Sequence, residues 1–174
     1  MKELFLGMML VFLDVKIGIG QFTADILPDF VGWYLMLPGL AKLGSQSVHF
    51  RKSRPLALVM VIGTAVLYVM ELTAGTVSSK VLNFFLGAAA LIIGLLIGFR
   101  IVSGIRDLER RQNRDLEGEK LQNLWLYTAV IHGIAYACGW IPMVGTMGSV
   151  AALVMSVCFL AAFYRTQDLY ESKA

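Results

Sequence analysis

The run VLNFFLGAAALIIGLLIGF at residues 81–99 contains no Asp, Glu, Lys or Arg and is followed at once by Arg100. It is close to the roughly 20 apolar residues that a helix needs to cross the hydrocarbon core of a bilayer. Three further stretches of similar character occupy residues 55–75, 124–141 and 142–164, and the Lys and Arg residues that flank all four fall on one side of a membrane. The pattern predicts an all-α, polytopic transmembrane helix bundle.

The whole composition agrees. Hydrophobic residues make up 57% of the 174-residue chain and charged residues 16%, and the mean hydropathy is +0.71; a soluble domain of this size carries far more charge. The length leaves no room for a separate soluble domain beside the membrane segments. A single integral membrane domain over 1–174 is expected, divided into a short helical hairpin at 1–44, a hairpin at 55–99, a charged linker at 100–123, a hairpin at 124–164 and a tail at 165–174. The net charge of +3 does not point to nucleic acid, because the basic residues sit in short loops beside membrane helices, where they set topology. Cys138 and Cys158 lie near opposite ends of the last two segments and are not expected to pair. The apolar run at residues 4–13 has the outline of a signal peptide, but Glu3 precedes it and Asp14 and Lys16 occupy the cleavage region, so it is expected to be retained.

Orientation follows from counting basic residues in short loops. Residues 41–55 carry Lys42, Arg51, Lys52 and Arg54 without an acid, and the chain after Phe99 carries Arg100, Arg106, Arg110, Arg111, Arg114 and Lys120. Both loops are expected in the cytoplasm of a cell-membrane protein, with both termini there too (Lys2 at one, Arg165 and Lys173 at the other). Trp125 and Tyr164 then fall at inner interfaces and Trp33 and Trp140 at outer ones. Pro28, Pro55 and Pro142 stand where helices start, the position at which a missing N–H costs least. Asp107 and Arg111 are spaced as a helical ion pair, and the linker is read as a helix continuing the fourth segment.

The first forty residues admit two architectures. Either residues 4–13 and 30–41 belong to two spanning helices, giving six membrane segments, four long and two short, with an external Asp25-Ile26-Leu27-Pro28-Asp29 turn. Or they form a re-entrant hairpin whose tip lies within the membrane, shielded by the other helices, since unpaired backbone cannot face lipid. The six-crossing version is favoured, because residues 3–22 as a helix cover about 30 Å and both carboxylates then stay in water.

The segment DILPDFVGWYLMLPGLAKL resembles the N-terminal signature of small uncharacterised multi-pass membrane proteins of Gram-positive bacteria. The matching positions are Asp25, Pro28, Asp29, Phe30, Gly32 and Trp33, with tryptophan where the family more often has tyrosine. The likeness covers about twenty residues closely and implies membrane location but no activity. Read physically, Pro28 fixes a helix entry, Asp29 complements the positive end of the helix dipole, Asp25 caps nearby backbone and Gly32 admits a close helix neighbour. A cation held by Asp25 and Asp29 is the functional alternative, weakened because calcium takes about six or more oxygens.

Asp14, Lys16, Glu71 and His132 fall within segments expected to be buried, where each is costly and needs a partner. Asp14 and Lys16 lie about 200° apart around a helix, so depth along the segments suggests Asp14 with His132 and Lys16 with Glu71. This intramembrane cluster is read either as structural polar contacts or as a proton or ion path. The stripes Ala90, Gly94, Gly98 and Gly148, Ala152, Ser156 mark close helix packing. No catalytic, metal-ligating or cofactor-binding motif appears, so no enzyme and no cofactor is expected. The expected role is a non-enzymatic accessory or interaction protein, with the lipid bilayer around it and a second copy or another membrane protein as partner. The alternative is a proton- or cation-linked transporter or channel subunit.

Overall fold

Six helices follow one another among the described residues: α1 (Lys2–Phe12), α2 (Asp29–Leu43), α3 (Val48–Ala74), α4 (Lys80–Gln112), α5 (Gly118–Cys138) and α6 (Pro142–Ser172). Between α1 and α2 lie two short strands, β1 (Lys16–Ile19) and β2 (Phe22–Asp25), paired antiparallel with Lys16 opposite Asp25 and Ile19 opposite Phe22. The computed structural model describes residues 1–12, 16–19, 22–25, 29–74 and 80–172; the side chains of residues 16–19, 22–25, 71–74, 80 and 142 are outside that description. Three helices are long and apolar enough to cross a membrane, over Val48–Met70, Val81–Gln112 and Met143–Ser172, and they mark the chain as a membrane protein.

The helices form a closed ring. Each packs on its neighbours in sequence, and α1 packs on α6 to complete the circle. Neighbours run antiparallel, so the N-termini of α1, α3 and α5 and the C-termini of α2, α4 and α6 meet at one end. Charge collects there: Lys2 pairs with Glu171 at 3.2 Å, Lys42 with Glu3, Arg165 with Glu117 at 2.7 Å and Arg111 with Asp107 at 3.2 Å. Arg106 donates to Gln122 across α4 and α5. The α4–α5 link is held to the bundle as well, with the Glu109 carboxylate accepting from the Leu116 N–H at 2.9 Å and Thr166 donating to the Leu116 carbonyl at 3.0 Å.

Burial is concentrated in the half of the ring nearest the charge. Leu4, Leu40, Phe50, Ile105, Leu116 and Phe163 are fully or almost fully enclosed there. Farther along, Val66 and Val69 on α3, Phe85 on α4, Ile134 on α5 and Val150 on α6 point outward and exposed, the arrangement expected of surfaces that face hydrocarbon. The cause is helix length. At 11 and 15 residues, α1 and α2 rise only about 16 and 22 Å, whereas the 33 residues of α4 rise about 50 Å.

The N-terminal segment therefore differs from the favoured expectation. Residues 3–22 are not one spanning helix: α1 stops at Phe12 and the chain turns into a strand pair. In the sequence Lys16-Ile-Gly-Ile-Gly-Gln-Phe-Thr-Ala-Asp25, apolar and β-branched residues alternate with glycine or polar residues, a strand period rather than a helical one. Pro55 also departs from its expected place at a helix start, since α3 begins seven residues earlier and contains it. Proline leaves the carbonyl four residues before it without its helical donor, and next to that point Arg100 of α4 donates to the Lys52 carbonyl at 2.8 Å.

Close approach between α1 and α2 depends on three glycines. A Cβ at Gly7 would stand 2.6 Å from the Gly32 carbonyl oxygen, one at Gly32 would stand 2.9 Å from the Gly7 carbonyl oxygen, and one at Gly39 would stand 2.8 Å from Leu4. At Gly7 and Gly32 backbone lies against backbone, which cannot give way as a flexible side chain would. Gly7→Ala should cost about 1–3 kcal/mol through overpacking, read as a lower Tm in detergent. Gly63→Ala, whose Cβ meets nothing within 4 Å, should leave Tm unchanged or raise it slightly through helix propensity. Equal effects from the two substitutions would contradict a tight α1–α2 contact.

The Lys42 ammonium hydrogen-bonds the Glu3 carboxylate and holds that carboxyl below its ordinary value near 4.5. A folded value below the unfolded one means that the pair stabilises the fold above about pH 4.5 and that this contribution fades as pH falls through the folded value. Both groups are partly solvated, so Lys42→Ala should cost less than about 1 kcal/mol at pH 7. The difference in Tm between wild type and Glu3→Gln should shrink as the pH is taken from 7 towards 3.

Candidate functional site

A cavity of about 270 Å³ sits inside the ring, lined by residues from five of the six helices. The spacing along each helix explains which side chains reach it. On α2, Asp29, Trp33 and Met36 repeat at helical intervals on one face; on α3, Met60 and Thr64 stand one turn apart; on α4, Ala90, Gly94 and Gly98 form a stripe. Met8, Val11 and Phe12 come from the last turns of α1, and Trp125 and His132, two turns apart, come from α5. The space exists because α1 and α2 end part-way along the longer helices.

Small residues on α4 make room for large rings. A Cβ at Gly94 would lie 3.5 Å from the Trp33 ring, and one at Gly98 would lie 2.3 Å from that of Trp125. Trp33 thus reaches from α2 across to α4 and is 4% exposed, while Trp125 is 3% exposed and packs against Phe12 and Phe159 at ring separations of 6.0 and 5.1 Å. Both rings are enclosed by the bundle and do not lie on its outer surface. Trp140, 80% exposed at the α5–α6 turn, and Tyr164, 56% exposed, are open to their surroundings.

Polar groups in the wall are mostly engaged. Thr64 donates its hydroxyl proton to the Met60 carbonyl at 2.6 Å. His132 Nδ1 lies 2.8 Å from the Thr128 carbonyl, which only accepts, so that nitrogen carries a proton. Its Nε2 lies 3.4 Å from Ser156 Oγ, and Ser156 is also 2.9 Å from the Ala152 carbonyl. The edge of the imidazole meets the Phe12 ring at 5.9 Å. Trp33 is different: its Nε1–H is buried and meets no acceptor among the described residues.

A wider cleft of about 710 Å³ continues past this cavity between α4, α5 and α6, lined by Tyr136, Trp140, Ser149 and Ser156 among others. Phe12, Leu91 and His132 border both spaces. In the cleft, Tyr136 donates to the Phe84 carbonyl and its ring stacks on Phe84 at 5.3 Å.

The residues singled out from the sequence separate into two groups. Asp29, Trp33 and His132 come together around the cavity, and Gly32 is buried in the α1–α2 contact. Asp14 and Pro28 lie outside the described residues, as do the side chains of Lys16, Asp25 and Glu71; by backbone register Lys16 stands opposite Asp25. The described partners of His132 are Thr128 and Ser156. Reading the sequence missed Thr64, Trp125 and Thr128, and it read the Ala90, Gly94, Gly98 stripe as helix packing alone. The signal available was the pairing of that stripe with two tryptophans that the chain did not need at an interface.

The Nδ1 of His132 is oriented by the Thr128 carbonyl, and among the described residues no carboxylate is bonded to it. Among the described residues no three His, Cys, Asp or Glu side chains converge as a metal site. Comparison of the chain with protein-family models, with curated proteins and with solved structures finds no match.

Proposed function

We propose that this chain is a non-enzymatic, multi-pass protein of the cell membrane that acts by holding a ligand or partner within the bilayer. One observation carries this reading: a closed ring of helices surrounds a largely apolar cavity at the depth where the two short helices end. The charged end is cytoplasmic, together with both termini, in keeping with the positive-inside rule. The apolar outer faces of α3, α4 and α6 meet lipid, and a second copy or another membrane protein docks there if the role is accessory.

A second reading, a proton- or cation-linked transporter, is favoured by the position of His132 between the inner cavity and the wider cleft. Its Nδ1–H is held by the Thr128 carbonyl at 2.8 Å, which speaks for a structural post, while the single Ser156 proton lies nearer the Ala152 carbonyl than Nε2.

Two measurements test these statements. In a background carrying Cys138→Ser and Cys158→Ala, a cysteine placed at Ser45 or Asn113 should react with a membrane-impermeant maleimide only after the cells are opened, whereas one at Trp140 should react in intact cells. Labelling in the reverse pattern would invert the topology. In proteoliposomes, proton and potassium flux should equal that of protein-free vesicles, with no change in His132→Gln. Wild-type flux that falls tenfold or more in that variant would establish transport instead.

A further inference from the structure

Much of the charge at the charged end is balanced in pairs. Lys2 meets Glu171, Lys42 meets Glu3, Arg111 meets Asp107, and Arg165 and Lys120 both meet Glu117. The start of α3 is different. Arg51, Lys52 and Arg54 are all exposed there, within about one helical turn, and among the described residues none of them pairs with a carboxylate. Arg100 joins them from α4. One of its N–H groups is spent on the Lys52 carbonyl at 2.8 Å, which holds its cation beside α3, and it too has no carboxylate partner among the described residues. Farther along, the next acid on α3 is Glu71 and on α4 it is Asp107; the latter lies about 10 Å beyond Arg100 and is engaged by Arg111. Like charges gathered in this way repel one another and call for an anion.

Exposed apolar surface begins directly below the cluster. Arg51, Leu58 and Ile62 share one face of α3 at helical intervals, and Lys52, Val59 and Val66 share the face beside it. The four apolar members of these rows are between 49% and 58% exposed. Between the rows lies Gly63, where a Cβ would meet nothing within 4 Å, so the surface is notched there. The ten residues from Lys52 to Ile62 rise about 15 Å, half of the roughly 30 Å hydrocarbon core. The flank therefore presents cations at one end and one leaflet's depth of apolar surface beneath them. We propose that it is a binding site for an anionic phospholipid of the leaflet at the charged end, with the phosphate held by Arg51, Lys52 and Arg100 and an acyl chain lying along Leu58, Val59 and Ile62. Charge and shape decide the occupant together. A free phosphate answers the cations, for which guanidinium forks are well suited, but leaves the apolar rows unused. A zwitterionic lipid covers the rows but brings its own ammonium to a place already rich in cations. An anionic phospholipid answers both demands. The site is on the outside of the ring, so the inference goes beyond the cavity reading and stands independently of it.

Site-directed quenching tests this. In the Cys138→Ser, Cys158→Ala background, a bimane label is attached to Leu58→Cys, beneath the cluster, or to Val157→Cys, on the exposed face of α6 beneath the paired Arg165. Each protein is reconstituted in phosphatidylcholine vesicles and titrated with phosphatidylglycerol or phosphatidylcholine carrying brominated acyl chains. At Leu58 phosphatidylglycerol should associate at least about fivefold more strongly than phosphatidylcholine, the worth of one Lys or Arg near an anionic surface, and at Val157 the two should be near parity. Lys52→Gln and Arg51→Gln should each lower the preference at Leu58 about fivefold or to parity. Quenching at Val157 by brominated phosphatidylcholine reports insertion of each variant. If Arg51→Gln fails that check, Lys52→Gln, which keeps the backbone carbonyl that Arg100 uses, carries the test. Equal preference at Leu58 and Val157 overturns the proposal, as diffuse attraction to a basic protein, and so does a preference that survives Lys52→Gln and Arg51→Gln together. Absence of quenching by either lipid at Leu58 overturns it as well, because the apolar rows then do not meet lipid. Loss of the preference on adding inorganic phosphate, but not sodium chloride at equal ionic strength, assigns the cations to a free anion and likewise overturns it. The vesicles carry the same lipids in both leaflets, so the result is independent of which end is cytoplasmic and of whether the cavity holds a ligand.

Discussion

The backbone-to-backbone contact of Gly7 with Gly32 is the constraint on which the rest depends. With no side chain at either position, α1 and α2 lie close enough to act as one two-helix unit, slender enough to fit between α3 and α6. At the charged end Lys42 with Glu3 ties the unit together, and Lys2 with Glu171 joins it to α6 and closes the ring. Because it is short, it fills only the charged half. Beyond it the four longer helices continue, and the cavity lies at the depth where the two short helices end, with Ala90, Gly94 and Gly98 of α4 in its wall.

The cavity wall adds a second constraint of the same kind. Two tryptophans turn inward against α4, where Gly98 makes the room that Trp125 needs and Gly94 lies in ordinary contact with Trp33. Each indole buries a large apolar area, yet each also carries an N–H that must be met. Size complementarity is satisfied at both positions. The Trp33 Nε1–H is enclosed without an acceptor among the described residues.

Much of the architecture could be read from the chain before its coordinates. The apolar runs that contain α3, α4 and α6 announce themselves by length and by the basic residues beside them, since both properties are local. The α5 run was legible as a segment, although Gln122, Asn123, Thr128 and His132 lower its hydropathy and it falls outside the three helices apolar enough to span. Residues 3–22 misled, because a hydropathy average does not distinguish a continuous helix from an 11-residue helix followed by a strand pair; the alternation from Lys16 to Asp25 held that information. The burial of Trp33 had no local sign. It packs beside Gly94, some sixty residues away, and no local spacing encodes which helix will face it. The polar residues were legible as unusual, but their partners, such as Ser156 for His132, depend on how α5 and α6 are rotated against each other.

The ring also has a bearing on how the molecule is assembled. Every close backbone approach between helices but one joins neighbours in the chain, so much of the structure forms from contacts of short sequence separation, which close at low entropic cost and can follow synthesis step by step. The exception is the seam between α1 and α6, where Phe5 meets Phe163 and Phe12 meets Phe159 across almost the entire chain length. That seam cannot form until the last helix has been made. Until then the N-terminal pair has one free flank, and the nascent protein is an open arc whose two edges are the surfaces a membrane chaperone would have to shield.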